Sequence, residues 1–169
     1  MKHFFVLTGP ESTGKTTLAQ QLAVEWNMPL VPEFARQYLE NKVDSYTLED
    51  VDFIGQKQWE LELATEGELV ICDTDLLTIY IWKKEVFHVE DTALLSLLKK
   101  TSRQYLLCAA NIPWVPDPLR ENPMDRDRLF EIYLSLINKL ELPFSFIHGN
   151  SFDERYTLAY HSIGAFFSK

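Results

Sequence analysis

The sequence is poor in the features that mark several large classes of protein. Its two cysteines, Cys72 and Cys108, lie far apart within apolar runs, so neither a disulfide framework nor a zinc-binding C-x-x-C spacing is present. Basic residues are in the minority, with 16 lysines and arginines against 25 acidic residues and a formal net charge of −9. Such a surface repels phosphate backbones, and we expect no nucleic-acid partner.

Long apolar runs are also lacking. No segment approaches the roughly 18 residues that a membrane span needs, and the apolar start of the chain ends at Gly9-Pro10, too early for a secretory signal. These absences predict a cytoplasmic protein with no membrane partner. The chain is rich in core-forming residues, with 46% hydrophobic side chains, which is enough for a single domain over residues 1–169.

Short apolar runs alternate with longer segments of helical periodicity. Strands are predicted at residues 4–7, 30–32, 69–72, 105–109 and 144–148. Helices are predicted at residues 15–26, 33–41, 47–65, 75–84, 90–102, 125–140 and 153–167. Right-handed crossovers between such strands produce a parallel α/β sheet with helices on both faces, and ligands bind at the carboxyl ends of its strands.

A phosphate-binding motif lies between the first strand and the first helix. The segment Gly9-Pro-Glu-Ser-Thr-Gly-Lys-Thr16 matches the P-loop pattern G-x-x-x-x-G-K-[ST] in the strand–loop–helix context that the motif requires. The expected fold is therefore a three-layer P-loop NTPase sandwich of about five parallel strands in the order 2-3-1-4-5. The predicted nucleotide-binding residues of the loop are Gly9, Glu11, Ser12, Thr13, Gly14, Lys15, Thr16 and Thr17.

Two P-loop side chains have further predicted roles. Lys15 reaches the β- and γ-phosphates and is a catalytic candidate, and the Thr16 hydroxyl is a candidate ligand of Mg²⁺. A GTPase would need an N-K-x-D sequence late in the chain, whereas Asn138-Lys139 continues as Leu-Glu. ATP is therefore the predicted nucleotide, with Mg²⁺ as its metal. The P-loop leaves open whether water, a protein or a small molecule receives the terminal phosphate.

Carboxylates follow two of the predicted strands. Asp73 is a candidate catalytic residue and Mg²⁺ ligand, and Asp75 a candidate substrate contact; capping of the next helix is the alternative for both. Glu33 can take a proton from an attacking hydroxyl or orient that hydroxyl, and Arg36 can balance the charge of Glu33 or of the substrate. The alternative is that Glu33 and Arg36 form an ordinary surface ion pair. We favour Glu33 as the base because Asp73 is then free for the metal.

Residues 112–128 have the composition of a lid, rich in prolines and arginines. A lid arginine stabilises the charge of a moving phosphoryl group, and Arg120 is therefore also a catalytic candidate. The alternative is that these arginines pair with neighbouring acids. The predicted lid arginines are Arg120, Arg126 and Arg128.

Two residues are candidates for contact with planar rings. Trp114, within the lid segment, is predicted to stack on a ring of the substrate, with packing into the core as the alternative. Arg155, after the last predicted strand, is predicted to lie on the adenine of the nucleotide, with an ordinary position at a helix start as the alternative.

Taken together, these motifs resemble the nicotinamide riboside kinase domain at the C-terminus of bacterial NadR proteins, a group of P-loop kinases. The likeness covers nearly the whole chain and depends on the order of four motifs: Gly9–Thr16, Glu33–Arg36, Cys72–Asp75 and Trp114–Arg120. The resemblance implies ATP at the P-loop, Mg²⁺ near Thr16 and Asp73, and a lid containing Arg120. It implies that the acceptor, nicotinamide riboside, contacts the region of Glu33, Arg36 and Asp75. Trp114 and Asp117 are further predicted substrate contacts.

The chain departs from the family pattern in two ways. The family has Asp-Gly-Leu-Arg in the lid where this chain has Asp117-Pro-Leu-Arg120, so a stiffer turn is expected. Met1 falls just before the first strand, so we expect a stand-alone kinase. The predicted reaction is phosphorylation of the 5′-hydroxyl of nicotinamide riboside. Another nucleoside or nucleotide kinase, and an ATP-binding regulatory module without phosphotransfer, remain the alternatives; the oligomeric state is not predicted.

Overall fold

A five-stranded parallel sheet forms the centre of the molecule in a computed structural model that describes residues 2–168. The strands are β1 (His3–Thr8), β2 (Leu30–Val31), β3 (Leu69–Asp73), β4 (Ser102–Cys108) and β5 (Phe144–Ile147). Their order is β2-β3-β1-β4-β5, and every pair is parallel. The predicted α/β class and strand order are thus confirmed. The prediction that concerns Met1 lies outside the described residues.

Seven helices within residues 2–168 connect and flank the strands, and all of the predicted helices are present. They are α1 (Lys15–Glu25), α2 (Phe34–Glu40), α3 (Leu48–Ala64), α4 (Leu76–Phe87), α5 (Thr92–Leu98), α6 (Arg126–Lys139) and α7 (Phe152–Gly164). The start of α3 is a capping box in which Thr47 and Asp50 each accept a backbone hydrogen bond from the other. No helix within residues 2–168 is both long and apolar enough to cross a membrane.

Several boundaries differ from the sequence prediction by one to four residues, and the most informative difference lies between α5 and β4. Helix α5 ends at Leu98, and β4 begins at Ser102, three residues before its predicted start. The early part of this strand contains Arg103, which pairs with Phe4 of the central strand β1. A charged residue is not expected in a central strand; here two buried carboxylates, described below, compensate its charge.

The side chains of β1 alternate between two hydrophobic layers, as the pleat of a strand requires. Phe4 and Val6 face one layer, and Phe5 and Leu7 face the other, and all four are fully buried. The first layer includes Val51, Ile54, Leu77, Ile79, Tyr133 and Ile137 from α3, α4 and α6. The second includes Leu18, Leu22, Ala159 and Ile163 from α1 and α7. Helices therefore cover both faces and leave the carboxyl edge of the sheet for the site.

Candidate active site

The P-loop joins β1 to α1 through backbone conformations that few residue types tolerate. Gly9 has a φ of 128° and Gly14 a φ of 78°. A Cβ atom on Gly9 would lie 2.6 Å from the carbonyl oxygen of Cys108 at the end of β4, so this position requires glycine. Gly14 directly precedes α1 and has no side chain to cap it. The first N–H groups of α1 are therefore available to an anion.

Lys15 begins α1, and its side chain folds back across the P-loop. Its Nζ donates hydrogen bonds to the carbonyl oxygens of Gly9, at 2.9 Å, and Pro10, at 2.6 Å. Both partners are neutral oxygens, which a phosphate oxygen can replace with a stronger, charged interaction. The ammonium is thus held at the loop by partners that it can exchange for a nucleotide.

The P-loop forms one wall of a cavity of about 480 Å³. The other walls come from α2, residues 42–46, α4, α6 and the lid segment at residues 118–122. A cavity of this size is sufficient for a small molecule. Predicted site residues that line it are Gly9, Glu11, Ser12, Thr13, Gly14, Lys15, Thr16, Thr17, Glu33, Arg36, Arg120 and Arg128. Predicted site residues that are not part of this lining are Asp73, Asp75, Trp114, Asp117, Arg126 and Arg155.

Asp73 ends β3 beside Leu7, the next-to-last residue of β1, and therefore lies close to the start of the P-loop. Its side chain is buried close to the hydroxyl of Thr16. Burial raises the pKa of the Asp73 carboxyl, whereas the Thr16 hydroxyl and the charges of Lys15 and Arg36 lower it. Within residues 2–168, Oδ1 of Asp73 is a buried oxygen without a hydrogen-bond partner.

The oxygens of Thr16 and Asp73 fit the needs of a magnesium ion. Protein sites for Mg²⁺ at nucleotides use one or two protein oxygens, with phosphate oxygens and waters as the remaining ligands. An unpartnered, buried carboxylate oxygen next to a hydroxyl is such a donor set. The described part of the chain has no group of three or more His, Cys, Asp or Glu that could hold a metal. A metal here would therefore depend on nucleotide phosphates for further ligands.

Glu33 lies between β2 and α2, and because β2 pairs with β3 its carboxyl group is a neighbour of Asp73. It precedes α2 but makes no capping hydrogen bond, and it lines the cavity. Burial and then the charge of Asp73 raise the pKa of the Glu33 carboxyl, while Lys15 and Arg36 oppose the rise. A raised pKa moves a carboxylate towards the range in which general bases work at neutral pH.

Arg36 connects α2 to the lid segment. Its Nη1 donates to Oδ2 of Asp117 at 3.1 Å and lies 3.6 Å from Oε1 of Glu40. The backbone N–H of Arg120 donates to the carbonyl oxygen of Asp117 at 3.0 Å, which closes a turn with Pro118 in its second position. Proline is favoured there because its φ angle matches the turn. Pro118, which stands where the family pattern has glycine, is therefore compatible with an ordered turn.

The lid segment is hydrogen-bonded to the P-loop. The Glu11 carboxylate accepts from the backbone N–H of Glu121, at 3.1 Å, and of Asn122, at 3.0 Å. The Ser12 hydroxyl accepts from the backbone N–H of Val115 at 2.9 Å. Glu11 and Ser12, both predicted to bind nucleotide, thus also hold the lid segment against the loop.

Arg120 lines the cavity, and its Nη1 donates to the carbonyl oxygen of Val115. The guanidinium carbons of Arg120 and Arg126 lie 6.0 Å and 5.6 Å from the ring centre of Trp114, and Arg126 also donates to the carbonyl oxygen of Ser12 at 3.1 Å. Trp114 is therefore a stacking partner for two arginines beside the cavity. Trp114 lies outside the residues that line the cavity, and its stacking on a substrate ring stays a prediction.

Arg128 lies in α6, as does Arg126, so the structure places the last part of the predicted lid in a helix. The guanidinium of Arg128 pairs with Glu85 and with Asp125, each at 2.6 Å. The alternative considered from sequence, pairing with neighbouring acids, thus describes Arg128. Its charge is already balanced where it lines the cavity.

Asp75 is two residues beyond Asp73, but its side chain faces the core. Oδ1 accepts from the backbone N–H of Leu77 at 2.9 Å and so caps α4. Oδ2 accepts from Nη1 of Arg103, at 3.0 Å, and from the hydroxyl of Tyr105, at 2.8 Å. Because these partners bury the whole carboxylate, the prediction that Asp75 contacts the substrate is corrected in favour of helix capping.

Arg155 is also buried, with a side chain packed behind the P-loop. Its guanidinium donates to the carbonyl oxygens of Thr13, at 2.7 Å, and Ala109, at 3.2 Å, and to Oδ1 of Asn111, at 2.8 Å. A group enclosed in this way presents no open face to a ring, which corrects the prediction that Arg155 lies on adenine.

A family model supports the assignment of this site to a P-loop protein. The model, described as an AAA domain, matches residues 4–155, which is most of the chain. The chain belongs to this AAA domain family. The match includes the P-loop, both carboxylates of the cavity edge and the lid segment.

Curated relatives of this AAA domain include NadR proteins. The trifunctional NAD biosynthesis/regulator proteins NadR of Escherichia coli strain K12 and Salmonella typhimurium strain LT2 are each 25% identical over 170 residues. The alignments cover 92% of this chain and 42% of each relative. The chain thus spans less than half the length of these proteins. The resemblance to NadR proteins that the four motifs predicted is confirmed.

Solved structures show the same fold. A NadR protein in complex with NR has a TM-score of 0.74 at 20% identity, covering 97% of this chain and 50% of that one. A NadR protein in complex with NAD and AMP-PNP has a TM-score of 0.71 at 21% identity, covering 99% and 49%. Thymidylate kinase from Ehrlichia chaffeensis has a TM-score of 0.65 at 15% identity, covering 98% and 100%. The AAA domain therefore has the fold of P-loop kinases.

Sequence reasoning missed the aromatic end of the cavity in this AAA domain. Tyr46 and Trp82 line it, with ring centres 4.9 Å apart and planes at 74°. Trp82 shares one face of α4 with Thr78, Ile81 and Glu85, which also line the cavity. Their i, i+3, i+4, i+7 spacing was a visible signal of a common face, but the packing of α4 decides that this face borders the cavity.

Proposed function

We propose that the protein is an ATP-dependent kinase that transfers the γ-phosphoryl group to the 5′-hydroxyl of nicotinamide riboside, with nicotinamide mononucleotide and ADP as products. The proposal follows the likeness to NadR proteins, and it places the chain in NAD biosynthesis. The observation that supports this acceptor over other kinase substrates is the charge balance of the cavity. Cations that line the cavity on the walls opposite the P-loop, here called the acceptor side, already have carboxylate partners.

Three cations at the acceptor side of the cavity are paired. Arg36 pairs with Asp117 and Lys42 with Asp50, each at 3.1 Å, and Arg128 pairs with two acids as described above. An acceptor that already carries a phosphate needs cations free to bind it. The paired state of these side chains therefore supports an acceptor without a phosphate, such as a nucleoside, over a nucleoside monophosphate.

The aromatic end of the cavity supports a planar, cationic ring on the acceptor. The nicotinamide ring of nicotinamide riboside carries a positive charge, and such a ring is attracted to the faces of aromatic side chains and to carboxylates. Tyr46 and Trp82 supply the aromatic surfaces, and Asp44 supplies an acid in the same lining. These three residues form the proposed site for the ring.

At the phosphate side, the proposed chemistry depends on position and charge. Glu33 accepts the proton of the 5′-hydroxyl. The oxygen of that hydroxyl forms a bond to the γ-phosphorus while the bond between the γ-phosphorus and the ADP oxygen breaks. Lys15 and Arg120, which hydrogen-bond to carbonyl oxygens rather than carboxylates within residues 2–168, are free to neutralise the transferred group. The lid segment excludes water from the reaction.

Thr16 and Asp73 are the residues proposed to hold Mg²⁺ with the nucleotide. When bound, this ion neutralises charge on the β- and γ-phosphates. Holding it in place leaves Asp73 unavailable as a base, which is consistent with the assignment of that role to Glu33.

A panel of acceptors tests the proposal. ADP release would be measured with nicotinamide riboside, thymidine monophosphate, shikimate and no acceptor. We expect turnover that depends on nicotinamide riboside and a slow rate without an acceptor. Turnover with either other compound instead would identify a different small-molecule kinase, and ATP binding without turnover in the whole panel would identify a regulatory module.

A further inference from the structure

Arg155 is a buried cation whose partners are all neutral. Its side chain is 1% exposed, and its three hydrogen bonds go to two carbonyl oxygens and one amide oxygen. Its Nε is buried and has no partner among residues 2–168. A buried charge is costly unless an opposite charge accompanies it. The structure therefore holds a positive charge directly behind the P-loop that pairs with no carboxylate of residues 2–168.

The other deeply buried cations of the described chain are balanced. Arg103 pairs with Glu62, at 2.5 Å, and with Asp75, at 3.0 Å. Lys83 pairs with Asp52, at 2.5 Å, and with Asp91, at 2.6 Å. Arg155 is the exception, and it is also the one of the three that contacts the P-loop. The contrast points to an anion that is bound by the loop rather than supplied by the protein.

The hydrogen bond to Thr13 orients a donor of the P-loop. In a planar trans peptide the C=O and N–H bonds point in opposite directions. Because Nη2 of Arg155 binds the carbonyl oxygen of Thr13 at 2.7 Å, the N–H of Gly14 in the same peptide points away from Arg155. This N–H precedes α1, where an anion is favoured.

Asn111 also holds the guanidinium of Arg155 in place. Asn111 accepts from Nη1 of Arg155 at 2.8 Å and donates through Nδ2 to the carbonyl oxygen of Gly149 at 2.9 Å. A Cβ atom on Gly149, whose φ is 128°, would lie 2.8 Å from Cβ of Glu154 and 3.3 Å from Cγ of Arg155. The close packing of this turn therefore leaves Arg155 little freedom to move away from Thr13.

We propose that Arg155 is a positioning residue for the nucleotide phosphates: it turns the Gly14 N–H towards them by binding the Thr13 carbonyl, and its unbalanced charge offsets theirs. It acts through the P-loop backbone and does not touch the adenine. The inference rests on the proposed function only in requiring a nucleoside triphosphate at the P-loop, and it is independent of the acceptor.

Arg155→Met tests this role because methionine fills similar space without charge or hydrogen bonds. We expect the variant to bind ATP and ADP at least about tenfold more weakly, as is typical when a charged hydrogen-bonding group is lost. Binding of adenosine, which has no phosphates, should change less than about twofold. The amide resonance of Gly14 should also differ from that of the wild type and shift less when ADP is added.

Lys83→Met is the matched control, since it removes a buried cation that lies outside the P-loop and the cavity lining. It should lower the melting temperature while leaving ATP affinity and the Gly14 resonance unchanged. The proposal is overturned if Arg155→Met behaves in the same way, or if it weakens adenosine binding as much as ATP binding, which would indicate a contact with the base.

Arg155→Lys extends the test if the methionine variant does not fold. Lysine keeps the charge but has no planar fork to bind three oxygens at once. We expect severalfold weaker ATP binding and an altered Gly14 resonance; wild-type values for both would overturn the proposal. Failure of the wild-type protein to bind ATP would instead reject the nucleotide assignment, and ATP binding without turnover of nicotinamide riboside would reject only the proposed reaction.

Discussion

Two groups of charged residues lie on opposite sides of the end of β3, and they differ in how their charges are balanced. On the cavity side, Glu33 and Asp73 are neighbouring carboxylates that raise each other's energy when ionised. On the core side, Asp75 shares the guanidinium of Arg103 with Glu62, whose pKa burial raises to about 7 while the charge of Arg103 opposes the rise. Asp73 and Asp75, two apart in sequence, thus belong to a pair of carboxylates on the cavity side and to a buried ion-pair network on the core side.

The comparison of Asp73 with Asp75 shows that burial alone does not identify a carboxylate that can bind a ligand. Asp73 and Asp75 are both buried. Both oxygens of Asp75 have donors, which makes it a capping and bracing group, whereas Oδ1 of Asp73 has none within the described residues. An unsatisfied oxygen at the cavity edge is available to a ligand, while a satisfied one in the core stabilises the fold.

The largest expected effect comes from Glu33→Gln, which removes the proposed base from the cavity side. The turnover rate with nicotinamide riboside should fall about 10²- to 10⁴-fold, as expected for the loss of a general base. Steady-state kinetics with ATP and acceptor both saturating would measure it. A rate within a few fold of the wild type would mean that another group accepts the proton.

Arg103→Met should produce the next largest effect by breaking the core network. It leaves two carboxylates buried without a cation, and the loss of one partner of a buried ion pair typically costs about 3–5 kcal/mol. Urea denaturation of the free protein would measure the change. The double variant with Glu62→Gln should recover part of the loss, and an additive double variant would show that the two residues do not interact.

Asp73→Asn should have a smaller and more selective effect. The Mg²⁺ concentration needed for half-maximal turnover should rise, because one proposed metal ligand loses its charge. The free protein should at the same time gain thermal stability, because the folded state already disfavours the charged form of this side chain. Kinetics at varied Mg²⁺ and thermal melting of the same sample would check both; a normal Mg²⁺ requirement would place the metal elsewhere.

The smallest effect concerns the dependence of stability on pH. Since burial and Asp73 raise the pKa of Glu33 in the folded state, the folded protein binds this proton more tightly than the unfolded chain does. The contribution of Glu33 to stability is therefore most favourable below its unfolded pKa and is lost as the pH rises through its folded pKa. Glu33→Gln should remove this decline, so the gap between variant and wild-type melting temperatures should widen from mildly acid to neutral pH.

Much of the fold was predictable because its signals are local. The apolar strands and periodic helices alternate along the chain, and a P-loop between the first strand and helix places phosphate binding at the carboxyl edge. The early start of β4 was not predictable. A strand that contains Arg103 becomes intelligible only when Glu62, 41 positions away in sequence, is seen beside it.

The site was predictable in part for the same reason. The sequence by itself determined that the P-loop, Glu33 and Asp73 follow strands of one parallel sheet, because the ends of such strands meet at one edge whatever the details of packing. Only the tertiary structure decided that Asp75 and Arg155 turn inward and that Tyr46 and Trp82 border the cavity. The direction of a side chain depends on partners that are distant in sequence, and their distances appear only once the helices have packed on the sheet.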